Sequence, residues 1–242
     1  MYLTRELMYT SIDDIENELT IMQLSDSFFP TGIFATSNGL EFLFYEKNVR
    51  NVHDVLDLVV INLKQQIGPT DCVILGNVID SAKKGEINRI IEADNMLYAS
   101  KLVRDIREAS TRSGIQVVRC VSEFVRDSTL LRFRDSLIEK KTHGTFPVAL
   151  AVCCNALNIK KENGMIIMMY GFTVGMVGAA LRLGIIQHFE GQKIIHSVKP
   201  VISEIVREYS KVNSLEKIWQ FAPQMDIIQM SHEKMDSKMF IT

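Results

Sequence analysis

The sequence lacks the short motifs that announce catalysis. Among its 242 residues there is no GxSxG, no GxxxxGK[ST] and no GxGxxG, so a nucleophile elbow, a phosphate loop and a dinucleotide fold are each without a signature. The four cysteines, Cys72, Cys120, Cys153 and Cys154, show no CxxC spacing. The histidines His53, His143, His188, His196 and His232 never fall three or four apart, which removes the usual helical metal-ligand pairs. Cys153 and Cys154 are neighbours, and on a helix they would point about 100° apart. Cys72 lies near a possible helix start at Thr70, where a thiol can be activated, but a simply buried cysteine is the commoner outcome. Charge of one sign is missing as well. Lys and Arg number 27 against 29 Asp and Glu, a net charge of −2, so no basic field gathers nucleic acid or an anionic membrane. An apolar signal region is absent from the opening stretch MYLTRELMYTSIDDIENEL, and the expected setting is a reducing cytoplasm.

Alternating strand patterns are also missing, while helical periodicity runs nearly throughout, so the expected fold is all-α. A first helix covers about Ile15 to Leu24 and is broken by Ser25 to Gly32. A second starts near Asn38, with Asn38 and Glu41 spaced as a capping box. A third starts at Asn51 with Asp54 behind it, stops at Gly68-Pro69, and hands over to a helix capped by Thr70. From Ile87 a short helix and a long one follow, the long one carrying Leu102, Val103, Ile106, Ala109, Ser113, Val117 and Phe124 on one side. Arg104, Arg107, Arg112 and Arg119 on its other side alternate with Asp105 and Glu108, which suits a solvated, charge-paired face rather than an anion stripe. Further helices cover Leu130 to Lys140 and, opened by Pro147, Val148 to Leu157. A final long helix after Gly191 is expected to bend or divide at Pro200.

Met165 to Leu181 has no charge for 17 residues and includes Gly171, Gly175 and Gly178. That length is the bottom of the membrane-spanning range, and Arg182 closes it, so a core or interface helix is the expectation and not a span. From about Phe221 the pattern fades. Pro223 and Met225, Met230, Met235 and Met239 sit among polar residues, and this reads as a mobile tail, 221–242, attached to a single helical bundle-like domain, 1–220. The aromatic run Phe28-Phe29-Pro30-Thr31-Gly32-Ile33-Phe34 either plugs the core or forms a partner surface.

At these same two places the chain resembles the urease accessory protein family UreF. The block Leu24 to Glu41 is similar to the family's Pro-x-Gly pattern followed by an aromatic and Ser-x-Gly-Leu-Glu, with Pro30, Gly32, Phe34, Ser37, Gly39, Leu40 and Glu41 in those positions. Asp71, Arg107-Glu108-Ala109-Ser110 with Gly114, His143 to Val148, and Arg182 before Gly191-Gln192 follow in order. The close, Pro223, Asp226-Ile227, His232-Glu233 and Ser237-Lys238-Met239-Phe240, resembles the family's ending. Lys238 stands where the family usually has arginine, which keeps the charge and loses the planar fork.

The resemblance implies a non-enzymatic, cytoplasmic, homodimeric adaptor with no cofactor of its own. Its partners would be UreD (also called UreH), the GTPase UreG and apo-urease, nickel being handled by the partner complex, with no nucleic acid and no membrane. It implies a partner surface at Phe28, Phe29, Pro30, Gly32, Phe34, Ser37, Glu41, His232, Glu233, Ser237, Lys238 and Phe240, and a dimer face near Tyr170 and Val174. The alternative is a nickel carrier with its own site, in which His143 or His232 would be a ligand.

Overall fold

Helices α1 (Ile12–Ser25), α2 (Leu40–Tyr45) and α3 (Val52–Asn62) begin the fold in a computed structural model that describes residues 12–32 and 35–242. The capping box expected at Asn51 opens α3. The Asn51 side chain accepts the amides of His53 and Asp54, and Asp54 accepts the Asn51 amide in return. The box expected at Asn38 does not form. Gly39 precedes α2 with φ +87°, no side chain caps the helix, and Glu41 is turned inward.

Gly68-Pro69 does not stop α3. The backbone widens instead into a π-helix, Leu63–Cys72, that leads without a break into α4 (Val73–Lys83). Proline has no N–H to contribute to an α ladder, and a wider turn accommodates that loss. Carbonyls on this segment accept from a distant stretch of chain: Gln65 O from the Phe221 amide at 3.1 Å and Pro69 O from the Trp219 amide at 3.4 Å. Thr70 is correspondingly not a cap, and its hydroxyl donates to Trp219 O at 2.6 Å. Gly68 lets a later helix approach, because a Cβ there would lie 2.9 Å from Ile205 and 3.2 Å from Tyr209.

The chain continues through α5 (Ile87–Ser100), α6 (Arg104–Phe124), α7 (Ser128–Ile138) and α8 (Phe146–Ala156). Residues 147–154 of α8 are all buried, because α4 and α6 pack closely against it. Gly114 permits this, since a Cβ on it would fall 2.1 Å from Gly144 O at the turn into α8. Phe133, Leu150, Leu75 and Ile79 complete the centre of the core, each worth roughly 1.5–3 kcal/mol of burial. Cys72, Cys153 and Cys154 are buried there too, and burial pushes the Cys72 and Cys153 thiols well up and Cys154 to about 12, so Cys72 is not an activated thiol.

The apolar run forms α9 (Lys161–Arg182), of which 61% of the most apolar stretch is covered by the rest of the fold, chiefly α10, α4, α1 and α8. Helix α10 (His188–Tyr209) is not divided by Pro200. Pro200 lies on the exposed side, where water can satisfy the carbonyl that its ring leaves unpaired. Among the described residues there is no strand.

The closing segment holds a helix where the sequence pattern fades. After a short 3₁₀ turn, Leu215–Lys217, helix α11 (Pro223–His232) buries Met225, Gln229 and His232 on one side, and Phe240 is 3% exposed. Spacing of four and three is helical, but two of the three buried residues are polar, and a count of apolar residues passes over them.

Candidate functional site

The two segments singled out in the sequence meet. Asn38 and Gly39 both have positive φ, +50° and +87°, and this reversal places Ser37 and Glu41 on the inner side of the chain. The Ser37 amide donates to Thr242 O at 2.8 Å and its hydroxyl donates to the same oxygen, joining positions 205 apart in the chain. The Ile241 amide donates to Ala35 O at 2.9 Å, and the Asn38 amide to the Thr242 hydroxyl at 3.4 Å.

Glu41 is the centre of this junction. One carboxylate oxygen accepts the Met239 amide at 2.7 Å; the other accepts the Phe240 amide at 3.2 Å and lies 2.8 Å from His232 Nε2. Both side chains are 1% exposed. A carboxylate taken from water needs such donors, because an unpaired buried charge would cost several kcal/mol. The His232 Nδ1 is buried without a protein partner. The Arg182 guanidinium lies 4.3 Å above the Phe240 ring, a cation–π contact that the sequence had not assigned to either residue.

Glu233 and Lys238 extend the junction to α6. Glu233 accepts the Asp105 amide in the first turn of α6 at 2.9 Å, where the helix dipole favours an anion. Lys238 lies 3.4 Å from the Asp105 carboxylate and donates to Glu233 O at 3.1 Å. Its contacts are those of a point charge, with no bidentate geometry to lose by the exchange from arginine.

The remaining sequence-derived residues divide by exposure. Phe29 is buried in the core, whereas Phe28 is 92% exposed and Pro30, Gly32 and Ser237 are also on the surface. Phe34 lies outside the described residues. Tyr170 is exposed and Val174 half-buried on α9, about 18 Å along the helix from Arg182 in the case of Tyr170.

His143 takes no part in this junction. Its ring stacks on Tyr98 with centroids 3.5 Å apart, and Arg107 sits over the same tyrosine at 5.2 Å. The organiser here is Asp94, which gave no signal in the sequence. Fully buried, it accepts the amides of His143, Gly144 and Thr145 and the hydroxyls of Thr142 and Thr145, at 2.5–2.8 Å. Among the described residues, no group of three His, Cys, Asp or Glu side chains is placed to hold a metal ion.

Beside α11 the junction borders an open cleft of about 140 Å³, walled by Ile67, Val103, Ile106, Phe146 and Phe172. It carries the Lys101–Asp71 ion pair, at 3.0 Å, together with Asp226, whose carboxyl burial holds above the usual carboxylate range. Gln66 Nε2 donates to Asp226 at 3.4 Å.

Residues 49–199 match the family UreF. The chain is 31% identical over 227 residues to the urease accessory protein UreF of Trichodesmium erythraeum (strain IMS101), covering 94% of this chain and 97% of that protein. It is 25% identical over 224 residues to that of Bacillus sp. (strain TB-90), covering 93% and 98%. To that of Ureaplasma urealyticum serovar 10 it is 26% identical over 232 residues, covering 95% and 98%.

Proposed function

The chain belongs to the UreF family of urease accessory proteins, and from that premise we propose that it is a non-catalytic, cytoplasmic adaptor for nickel insertion into apo-urease. In this reading it bridges UreD (UreH) and the GTPase UreG and influences when the GTPase releases nickel. It pairs with a second copy through the exposed side of α9 near Tyr170 and Val174. The metal chemistry belongs to the partners.

One observation carries the reading. The stretch just after the aromatic run and the closing segment, far apart in sequence, are fastened to each other through Ser37 and Glu41, and exposed apolar side chains near this junction include Phe28, Met239 and Ile241. Exposed apolar side chains backed by a buried polar lock suit a partner surface, because the backbone is already ordered and less entropy is lost on binding.

Co-purification of the full chain with UreD and UreG chains from the same source is the test, with a ternary complex expected. Phe28→Ala, at a side chain with almost nothing to lose in the free fold, should weaken the UreD contact by about 2 kcal/mol, the range of an anchoring aromatic. A folded full-length chain that captures neither partner would overturn the adaptor role, and an unchanged dissociation constant for Phe28→Ala would remove Phe28 from the surface.

A further inference from the structure

We propose that the open cleft beside α11 is a binding site for a guanidinium group on a short apolar stem, recognised by Asp226, Gln229 and Ser113 and flanked by the rings of Phe146 and Phe172. The site goes beyond the adaptor role and does not depend on it.

Two polar side chains of the cleft are almost buried and unused. Gln229 is 6% exposed and Ser113 5%, and neither the Gln229 amide nor the Ser113 hydroxyl has a hydrogen-bond partner among the described residues. A polar group withdrawn from bulk water costs free energy until something bonds it, so both are left for whatever enters the cleft. Asp226 lines the same space from α11. The partner of its carboxylate among the described residues is Gln66 Nε2 at 3.4 Å, a long bond from a neutral amide, and burial raises the carboxyl with no nearby cation to oppose it. The other carboxylate of the cleft, Asp71, is already matched by Lys101 at 3.0 Å. Asp226 therefore leaves the cleft with one negative charge in excess.

These groups select the ligand by their chemistry. One uncompensated carboxylate calls for one positive charge. A metal ion is a poor match, because no three His, Cys, Asp or Glu side chains converge among the described residues and the Lys101 ammonium shares the cleft. Ile106 and Met168, with the two phenylalanines, make the remaining wall apolar and suited to a hydrocarbon stem. A guanidinium fits better than an ammonium. Its planar faces stack on aromatic rings, and its edges carry five N–H donors, enough for a carboxylate, an amide oxygen and a hydroxyl at once. The volume of about 140 Å³ is roughly ten times the smallest space that holds one water, which gives room for a ligand of about ten non-hydrogen atoms. A free alkylguanidine and an arginine side chain of a partner protein both have that size and chemistry.

The experiment titrates the full-length protein with n-butylguanidinium and, separately, with n-butylammonium, following backbone and side-chain amide shifts by NMR. The expected result is saturable binding of n-butylguanidinium, several-fold tighter than that of n-butylammonium, with the largest shifts at Gln229 and Ser113. Asp226→Asn, which keeps the size of the side chain, should weaken it about tenfold, the loss of one charge-assisted bond. Asp57→Asn, at an exposed carboxylate outside the cleft, should leave it unchanged. Absence of saturable binding to the parent protein would overturn the site, and so would equal weakening by the two variants, which would mark a general attraction to negative charge. Equal affinity for the two probes would overturn the choice of guanidinium. N-acetylarginine N-methylamide then separates the sources: binding as tight as that of n-butylguanidinium supports a partner's arginine, and its exclusion while n-butylguanidinium still binds supports a free small guanidine.

Discussion

The α4, α8 and α9 body and the closing segment are held by different kinds of force. In the body, Leu75, Ile79, Leu150, Met165 and Met169 bury apolar area on nearly every side, and stability is spread over many side chains. In the closing segment Met225 and Phe240 contribute area, but the attachment is largely polar and a few named groups account for most of it. Area is distributed and forgiving, whereas a buried hydrogen-bonded carboxylate concentrates dependence on one residue. Two regions of one fold can therefore differ in how they fail.

The largest effect should come from the body. Phe133→Ala, at a fully buried ring, is expected to cost about 4 kcal/mol and to lower the thermal midpoint while hydrogen exchange rises across the whole chain. A rise confined to α7 would break the contrast from that side. Next comes Gly39→Ala. Its φ of +87° disfavours a Cβ, and that Cβ would lie 2.8 Å from Ile228 on α11. The expected cost is about 2 kcal/mol, with loss of protection in 223–242 and little elsewhere. Equal loss in α4 and α8 would show that the two regions unfold together.

The smallest effect concerns pH. Because burial raises the folded carboxyl of Asp226 above its unfolded value, the unfolded chain ionises first as pH rises, and the folded state loses stability from the unfolded pKa up through the folded one. Asp226→Asn should remove that decline, so the variant loses less stability than the parent between acid and neutral pH. Denaturant titrations at several pH values check this, and parallel curves for the two proteins would show that Asp226 is not responsible.

The same contrast explains what was legible in the sequence. The body was readable because apolar spacing reports a buried side: Val103, Ala109, Ser113, Val117 and Met165 are buried where periodicity placed them, although Phe124, placed on the same side of its helix, is exposed. The Asn51 box was readable because both of its partners are local. Gly68-Pro69 misled, because the widened helix depends on contacts with Trp219 and Phe221 that are distant in the chain. Glu41 and Asn38 had the spacing of a local cap, but His232 and two amides from beyond position 238 outcompeted it. Family resemblance brought Ser37, Glu41, His232 and Phe240 into one group without showing that they touch. Nothing in the sequence marked Asp94 or the ring contact of Arg182, since each acts on groups that only the fold brings near.

The π-helix also makes the chain's length between α3 and α4 a matter of rotational phase. Each residue removed from 63–72 would turn one helix against the other by about 100°, the angle of a single step. Val55 and Val59 before it, and Ile74 and Leu75 after it, now face the core together. A one-residue deletion there would put the two sets out of step, so this stretch tolerates exchange of side chains more readily than any change in their number.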